Sequence, residues 1–347
     1  MEVKGIDMFQ AIAHRLGGWP ERKALILLYH RISELETDPW GLSVTSNHFA
    51  EHLEILGKHA QILPLRHLDK AFRGGVLPRR SAVLTFDDGY IDNLTQAKPV
   101  LERYEAPATV FITTGMLQCE NEFWWDELDR LLLQPNKLPE KLHLKVDGTM
   151  HQWEAGETAH YSQAEFLRQR HWKAWEEAPT PRHALYRSLW EILHPLPARL
   201  QRAALDDLNT WAEAEPSQRE THRTLSPSEV LALAEGGLIE IGAHTVTHPA
   251  LSAIPVSSQE NEIRQSKAQL EEILGERVES FSYPYGHQVG YSEDTIRIVR
   301  EAGYTRACSS YGGRVQRSTD RFQLPRVQVN DWDRETFEQW IWGQFNS

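Results

Sequence analysis

Two adjacent carboxylates, Asp87 and Asp88, follow a short apolar run, Ala82–Phe86. Neighbouring side chains at the end of a strand point in different directions. One carboxylate can therefore bind a cation while the other faces a water molecule or a substrate. An Asp-Asp-Gly sequence alone is more typical of a solvated turn, so this motif needs support from elsewhere in the chain.

A pair of histidines supplies that support. His244 and His248 follow a second apolar run, Leu238–Ala243. Two imidazoles four residues apart can converge on one divalent cation, but Thr245 stands where zincin proteases have their catalytic glutamate, so the carboxylate must come from elsewhere. Such a pair alone is more often structural. Together with the two aspartates it favours metal binding, because functional residues of parallel α/β sheets gather at the carboxyl ends of strands.

The apolar runs that lead into these motifs belong to a series of predicted strands separated by helical patterns. This alternation is typical of an α/β fold with a parallel sheet. Two predicted helices, Ser46–His59 and Gln259–Leu274, each carry an apolar stripe. Ser226 and Glu229 predict a capping box at the start of a third, which should end at Gly236. The predicted strands are Ala24–Tyr29, Ile62–Leu65, Ala82–Phe86, Ala108–Thr113, Leu238–Ala243, Ser280–Tyr283, Arg306–Ser309 and Leu324–Val329.

Residues 116–224 interrupt this alternation. Their pattern is mainly helical and charged, with a short hairpin predicted near Leu142–Trp153, and they hold seven of the twelve tryptophans. The segment is too apolar to be a disordered linker. We interpret it as an insertion into a single α/β domain, whose barrel comprises residues 24–115 and 225–330.

Composition narrows the class of protein. The 347 residues are 40% hydrophobic and 25% charged, as in soluble globular proteins. The net charge of −12 argues against a nucleic-acid partner and against attraction to anionic lipid. Cys119 and Cys308 are too few for a disulfide framework. Because Met1–Pro20 lacks the apolar run of a signal peptide and no run reaches transmembrane length, we expect a cytoplasmic protein that is not integral to a membrane.

A third strand-end turn completes a recognisable set of motifs. In chain order they are Thr85-Phe86-Asp87-Asp88-Gly89, His244-Thr245-Val246-Thr247-His248 and Tyr283-Pro284-Tyr285-Gly286. This combination resembles the polysaccharide deacetylase family with the NodB homology domain (carbohydrate esterase family 4). The resemblance implies a distorted (β/α)7-type barrel. It also implies a metal-dependent hydrolase that removes N-acetyl groups from an amino-sugar-containing polysaccharide, oligosaccharide or lipid-linked precursor.

The same resemblance assigns roles by position. It implies that Asp88, His244 and His248 bind the metal and that Asp87 is the general base. Three protein ligands leave room at a catalytic metal for water and the acetyl carbonyl. The backbone N–H of Tyr285 would stabilise the oxyanion. Zinc is the expected metal, with cobalt, nickel or manganese as alternatives.

The chain departs from the family's usual pattern at two positions. Ser282 stands where an arginine usually orients the base. Arg326, in the last predicted strand, is our candidate for that guanidinium, with a purely structural ion pair as the alternative. The family's late histidine, its general acid, is also missing, since no histidine follows His287. Members that deacetylate biofilm poly-N-acetylglucosamine carry this motif at the N-terminus, so we predict His30 as the acid, with a capping or core role as the alternative.

Four aromatic or cyclic residues beside the motifs are candidates for substrate contact: Trp124, Trp125, Tyr283 and Pro284. Most other tryptophans should lie in the core, because aromatic rings mainly supply buried area. Two other functions stay open at this point. One is a non-catalytic carbohydrate-binding protein on the same barrel, and the other is a deacylase for another acyl group such as formyl. Peripheral association with polysaccharide-assembly machinery is compatible with an N-deacetylase and with a deacylase for another acyl group.

Overall fold

A computed structural model of the chain describes residues 23–68, 78–134, 136–154, 156–214 and 218–346. The N-terminal segment Met1–Pro20, on which the prediction of location partly depends, lies outside the described residues. The strands are β1 Lys23–Tyr29, β2 Arg31–Ile32, β3 Ser43–Val44, β4 Gln61–Ile62, β5 Arg80–Phe86, β6 Ala108–Ile112, β7 Asn136–Lys137, β8 Lys141–Val146, β9 Thr149–Glu154, β10 His160–Tyr161, β11 Ile239–Ala243, β12 Ser280–Ser282, β13 Arg306–Cys308 and β14 Val327–Gln328. The α-helices are α1 Ser46–His59, α2 Lys98–Arg103, α3 Trp124–Leu132, α4 Gln163–Gln169, α5 Pro181–Leu193, α6 Ala198–Trp211, α7 Pro227–Ala234, α8 Val256–Leu274, α9 Glu293–Glu301 and α10 Arg334–Asn346.

Seven strands form one parallel sheet in the order β13-β12-β11-β6-β5-β1-β14, and β4 pairs with the start of β5. The two edges of this sheet approach each other. The backbone N–H of Ser309, just after β13, donates to the carbonyl of Leu324 at 2.9 Å, and Cys308 bridges to the same residue. The sheet is therefore curled, and the predicted α/β fold with a distorted (β/α)7-type barrel is confirmed.

The central strands are buried on both faces. Residues 81–86 of β5 are all 0% exposed, which explains why the strand is a nearly continuous apolar run rather than an alternating one. Helix α1 covers the sheet with the predicted stripe that includes Phe49 and Leu53. Helix α7 begins at the predicted capping box of Ser226 and Glu229, and it ends before Gly236, which has a positive φ.

Two strands are shorter than predicted by two residues or more, and proline explains both differences. Only Ile62 of the predicted strand Ile62–Leu65 lies in a strand, because β4 ends at Ile62 and Pro64 precedes a short 3₁₀ turn. The predicted strand Leu324–Val329 narrows to β14, two residues that pair with β1. Pro325 lacks an N–H to donate, so ladder pairing cannot run through it.

The inserted segment builds a second hydrophobic cluster, separate from the barrel core. Its buried side chains come mainly from α3, α5, α6 and β8. Strands β8 and β9 form the predicted hairpin, with Leu142 opposite Trp153. Tyr90 and the partly buried Trp40 and Tyr285 join this cluster from the barrel, so the insertion packs onto the carboxyl end of the sheet. Among the helices in the described ranges, none has both the length and the apolar character needed to cross a bilayer.

Candidate active site

Asp88, His244 and His248 converge at the carboxyl ends of β5 and β11. One potential ligand atom from each lies within 4.8 Å of the other two. Oδ1 of Asp88 is 3.6 Å from Nε2 of His244 and 3.4 Å from Nε2 of His248. This oxygen is buried without a hydrogen-bond partner, which is rare for a carboxylate. A buried, unpaired oxygen facing two imidazole nitrogens fits a divalent cation such as zinc.

The charges around these three residues also fit a cation. Burial and the neighbouring Asp87 carboxylate raise the pKa of Asp88 well above its ordinary value. Burial lowers the pKa of His244, and burial together with that imidazole lowers the pKa of His248 well below its usual range. Neutral imidazoles are the form that binds metals, and a divalent cation would favour the ionised form of the carboxyl.

A hydrogen bond orients the ring of His244, and others hold the turn that leads to His248. Nδ1 of His244 donates to the carbonyl oxygen of Ser282 at 2.8 Å, which leaves Nε2 facing the site. The turn between the two histidines is held by Glu262 of α8. The carboxylate accepts from the backbone N–H groups of Val246 and Thr247, both at 2.8 Å, and from the hydroxyl of Thr247 at 2.7 Å. Sequence reasoning missed this glutamate.

Strained backbone is concentrated at the same place. Asp88, Thr245, His248 and Tyr285 all have positive φ, between 58° and 74°. This region is uncommon for residues with a Cβ, and such strain clusters at active sites. Gly115 lies against the histidine turn so closely that an added Cβ would be 2.5 Å from a carbonyl oxygen of that turn. Barrel and turn are therefore fitted together tightly around the candidate ligands.

Asp87 is held by a two-pronged ion pair with Arg326, with both N···O distances at 2.7 Å. Arg326 is 0% exposed and also donates to the carbonyl of Ser309 at 2.7 Å and the hydroxyl of Ser282 at 2.8 Å. Burial alone would raise the pKa of Asp87, but Arg326 and the nearby His244 lower it below its ordinary value. The structure thus brings Arg326 to the position that we hypothesised, where its charge favours the ionised form of Asp87. A catalytic role for the pair stays a prediction.

His30 lines the same pocket as Asp87, at the end of β1. Its carbonyl oxygen accepts from Nδ2 of Asn93 at 2.8 Å, which fixes the backbone. Burial lowers the pKa of His30 to about 4, although Asp87 opposes that shift. The imidazole is therefore mainly neutral near pH 7. To act as the predicted acid it must gain a proton as negative charge builds up in the pocket.

The pocket has a volume of about 280 Å³. Besides the candidate ligands, Asp87 and His30, its wall is largely aromatic and apolar. These wall residues are Leu28, Trp40, Leu42, Trp125, Trp190, His194, Tyr285, His287, Ser310 and Gln328. Sequence reasoning missed Trp40, Trp190 and His194, and the high tryptophan content of the insertion was a signal for Trp190 alone.

The residues predicted to contact substrate have different positions. Trp125 lines the pocket, and its Nε1 donates to the hydroxyl of Tyr90 at 3.0 Å. Trp124 is buried behind the wall rather than in it. Tyr285 lines the pocket, with its ring centroid 4.7 Å from that of His248, while the role of its backbone N–H stays a prediction.

The structure corrects the prediction for Tyr283 and Pro284, which are buried and do not line the pocket. The ring of Tyr283 stacks on Tyr291 with centroids 4.1 Å apart, and its hydroxyl donates to the carbonyl of Phe322 at 2.9 Å. Its side chain belongs to the barrel core. The alternation of side chains along the strand explains the error, since neighbouring positions face opposite sides.

The polysaccharide deacetylase family is matched by residues 74–172 and 206–307, and the chain belongs to this family. Residues 173–205 lie between the two matched segments, and the chain before residue 74 lies outside them. The predicted boundaries of the insertion, 116–224, stay a prediction.

Two curated relatives share the name poly-beta-1,6-N-acetyl-D-glucosamine N-deacetylase. The protein from Escherichia coli (strain K12) is 30% identical over 92 residues, 26% of this chain and 14% of the relative. That from Staphylococcus aureus (strain MSSA476) is 30% identical over 116 residues, 30% of this chain and 40% of the relative. The chain thus spans less than half the length of these relatives. The structure of IcaB from Ammonifex degensii matches with a TM-score of 0.57 and 16% identity, covering 94% of this chain and 98% of that one, which establishes a shared fold.

Proposed function

We propose that the protein is a divalent-metal-dependent hydrolase that removes N-acetyl groups from an N-acetylglucosamine polymer. One observation carries the proposal: Asp88, His244 and His248 converge on one point beside Asp87, which Arg326 holds in its ionised form. Family membership supports the reaction type. The names of the two curated relatives support the substrate, and the nitrogen and carboxylate ligands support zinc as the metal.

The proposed reaction is hydrolysis of an amide. A divalent cation at the three ligands would polarise the acetyl carbonyl as a Lewis acid. Asp87 takes a proton from the water whose oxygen adds to the carbonyl carbon, and the C–N bond then breaks. His30, once it has gained a proton from solvent, donates it to the leaving nitrogen, and Asp87 returns its own proton to solvent, so the products are acetate and a free amine. Arg326 keeps the carboxylate of Asp87 oriented, and each oxygen retains a lone pair for the proton.

The chemistry of the pocket wall favours a neutral sugar over a phosphorylated or sulfated substrate. Among the described residues that line the pocket, none is a lysine or an arginine. Anionic groups are usually recognised by such side chains. The aromatic wall instead suits the apolar C–H face of a pyranose ring.

Acetate release from β-1,6-linked N-acetylglucosamine oligomers tests the proposal. We expect activity to disappear with a chelator and to return with zinc. The activity restored by cobalt, nickel or manganese then ranks these alternative metals. A protein that binds metal and oligomer but releases no acetate would be a carbohydrate-binding protein, and the proposal would fail. Release of formate from N-formyl sugars, with none of acetate from N-acetyl sugars, would correct the acyl group.

Two variants separate the roles of base, acid and ligand. Asp87→Asn should lower kcat by about 10²- to 10⁴-fold while the bound metal is retained, because only proton transfer is lost. His30→Ala should also lower kcat without loss of metal. If His30→Ala instead loses the metal, the histidine is a ligand rather than the acid.

A further inference from the structure

Two of the stretches outside the family match, the one before residue 74 and residues 173–205, meet beside the pocket. The backbone N–H of Ala174 donates to the carbonyl of Pro39 at 2.8 Å. Nζ of Lys173 lies 3.3 Å from a carboxylate oxygen of Asp38. Residues near 40 and near 174 therefore form one surface outside the segments that match the family.

A row of aromatic rings runs from the candidate metal ligands to this surface. The ring of Tyr285 lies between His248, at 4.7 Å, and His194, at 4.2 Å between centroids. His194 stacks on Trp190 at 4.6 Å, and the latter lies 4.4 Å from Trp40. All five rings line the pocket, so its wall is continuous from the ligands outward.

Trp175 extends the row into solvent. Its ring lies against Gly41, next to Trp40, where an added Cβ would be 3.1 Å from Cη2 of the indole. The side chain is 61% exposed, which is unusual for a residue type that is highly buried on average. An indole that is kept in water at the outer end of an aromatic wall is available to a ligand that leaves the pocket.

We infer that Trp190, Trp40 and Trp175 form a track on which successive sugars of a neutral pyranose chain stack. The inference rests on the proposed function and names the part of the substrate beyond the reacting sugar. A pocket of about 280 Å³ is at the lower end of small-molecule sites, roughly 300–1,000 Å³, so further sugars need surface outside it. Trp175 is the first such surface along the wall.

The test is affinity as a function of chain length. Zinc-loaded Asp87→Asn protein binds β-1,6-linked N-acetylglucosamine oligomers of two to six sugars without turnover, and calorimetry gives each Kd. We expect affinity to rise with length. Adding Trp175→Ala should weaken binding of the hexamer by roughly three- to tenfold, with a loss that grows with length, because one stacking contact is removed.

The matched control is Trp342→Ala. Trp342 is also exposed, at 48%, but lies on α10 against Arg80, at the opposite end of the sheet. This variant should bind every oligomer as its parent does, and Trp175→Phe should restore most of the hexamer affinity because a ring is retained.

The track would be overturned if the hexamer had the same Kd with and without Trp175→Ala. It would also be overturned if none of the oligomers bound. The outcome for the proposed function is read separately, from acetate release by the unsubstituted protein. If acetate is released and Trp175 is without effect, the function stands and the track fails. Length-dependent binding through Trp175 without acetate release supports the track and overturns the function.

Discussion

The floor and the wall of the pocket are built in different ways. The floor comes from the ends of strands, with Asp87, Asp88, His244 and His248 within the family match and Arg326 beyond it, and most of its side chains are fixed by directional hydrogen bonds and ion pairs. Arg326 shows this best, since its buried guanidinium donates to Asp87, Thr85, Ser282 and Ser309. The wall, in contrast, comes largely from outside the match and is held by ring packing. Catalysis needs side chains that are held in place by hydrogen bonds and ion pairs. A wall of packed rings can instead change the preference for substrate.

The two regions also affect stability in opposite directions. The floor buries carboxyl and imidazole groups whose pKa values show that burial disfavours their charged forms. Burial of aromatic rings in the wall is favourable, at about 25 cal/mol for each Å² of apolar surface removed from water. Substitutions in the floor should therefore lower activity without lowering stability. Substitutions in the wall should lower both activity and stability.

The largest expected effect is that of Asp88→Asn. The variant should lose its metal, and its activity should fall to that of chelator-treated protein. Because burial raises the pKa of Asp88, the metal-free variant should be at least as stable to urea as the metal-free parent. Metal analysis and urea titration check both statements. A marked loss of stability in the metal-free variant would mean that the carboxyl is structural.

Arg326→Lys should have the next largest effect. Lysine keeps the charge but cannot make the two-pronged pair, so we expect kcat to fall by about 10- to 100-fold. Arg326 lowers the pKa of Asp87, so a weaker ion pair with lysine should raise that pKa. The acidic limb of the kcat/KM profile should therefore move to higher pH. The pH profile is the measurement.

Arg306→Lys is the control for that substitution. Arg306 is equally buried but pairs with Glu240 and Glu279 at the start of β13, away from the pocket. Arg306→Lys should lower the melting temperature of the protein without moving the acidic limb of the kcat/KM profile. If both variants shift the limb alike, the shift comes from general loosening of the barrel.

Glu262→Gln should have a smaller effect, which added metal can reverse. The glutamine keeps one acceptor oxygen for the histidine turn but loses the charge, so we expect metal affinity to fall by about 10-fold and activity to recover at high zinc. Glu260→Gln, on the same helix but paired with exposed Arg264, is the matched control and should leave metal affinity unchanged. Competition with a chromogenic chelator gives both affinities.

The smallest effect on activity should come from His183→Gln, which tests the helix that carries the wall. Burial lowers the pKa of His183 to about 4. The unfolded chain then binds more protons between about pH 6.5 and pH 4, so the free energy of unfolding falls as pH falls through that window. The variant should lose less stability between pH 7 and pH 5 than its parent. Identical losses in urea titrations would contradict this.

The floor was predictable because each of its residues follows an apolar run. The runs before Asp87 and His244 predict parallel strands, and parallel strands place their carboxyl ends together. Arg326 was found by the same reasoning, although only the structure shows its contact with Asp87. Tyr283 shows the limit, since position at a strand end does not tell which way a side chain points.

Apart from Trp125 and Tyr285, the wall and the supporting groups were not predictable from local pattern. Glu262 and Glu260 look alike in sequence, and only the docking of α8 distinguishes them. Trp190 and Trp175 lie in a segment whose tryptophans all resemble core residues. Which of them reaches the pocket depends on contacts with residues near 40, more than 130 positions earlier in the chain.

The pair of Asp87 and Arg326 joins residues 239 positions apart. All three candidate metal ligands precede residue 249, so a chain that has been synthesised that far already contains every group that could bind the cation. The carboxylate that would activate water acquires its partner only when the last strand docks beside the first. On the proposed function, such a chain could bind the cation before Asp87 is paired with Arg326, so metal binding would not depend on the contact that orients the proposed base.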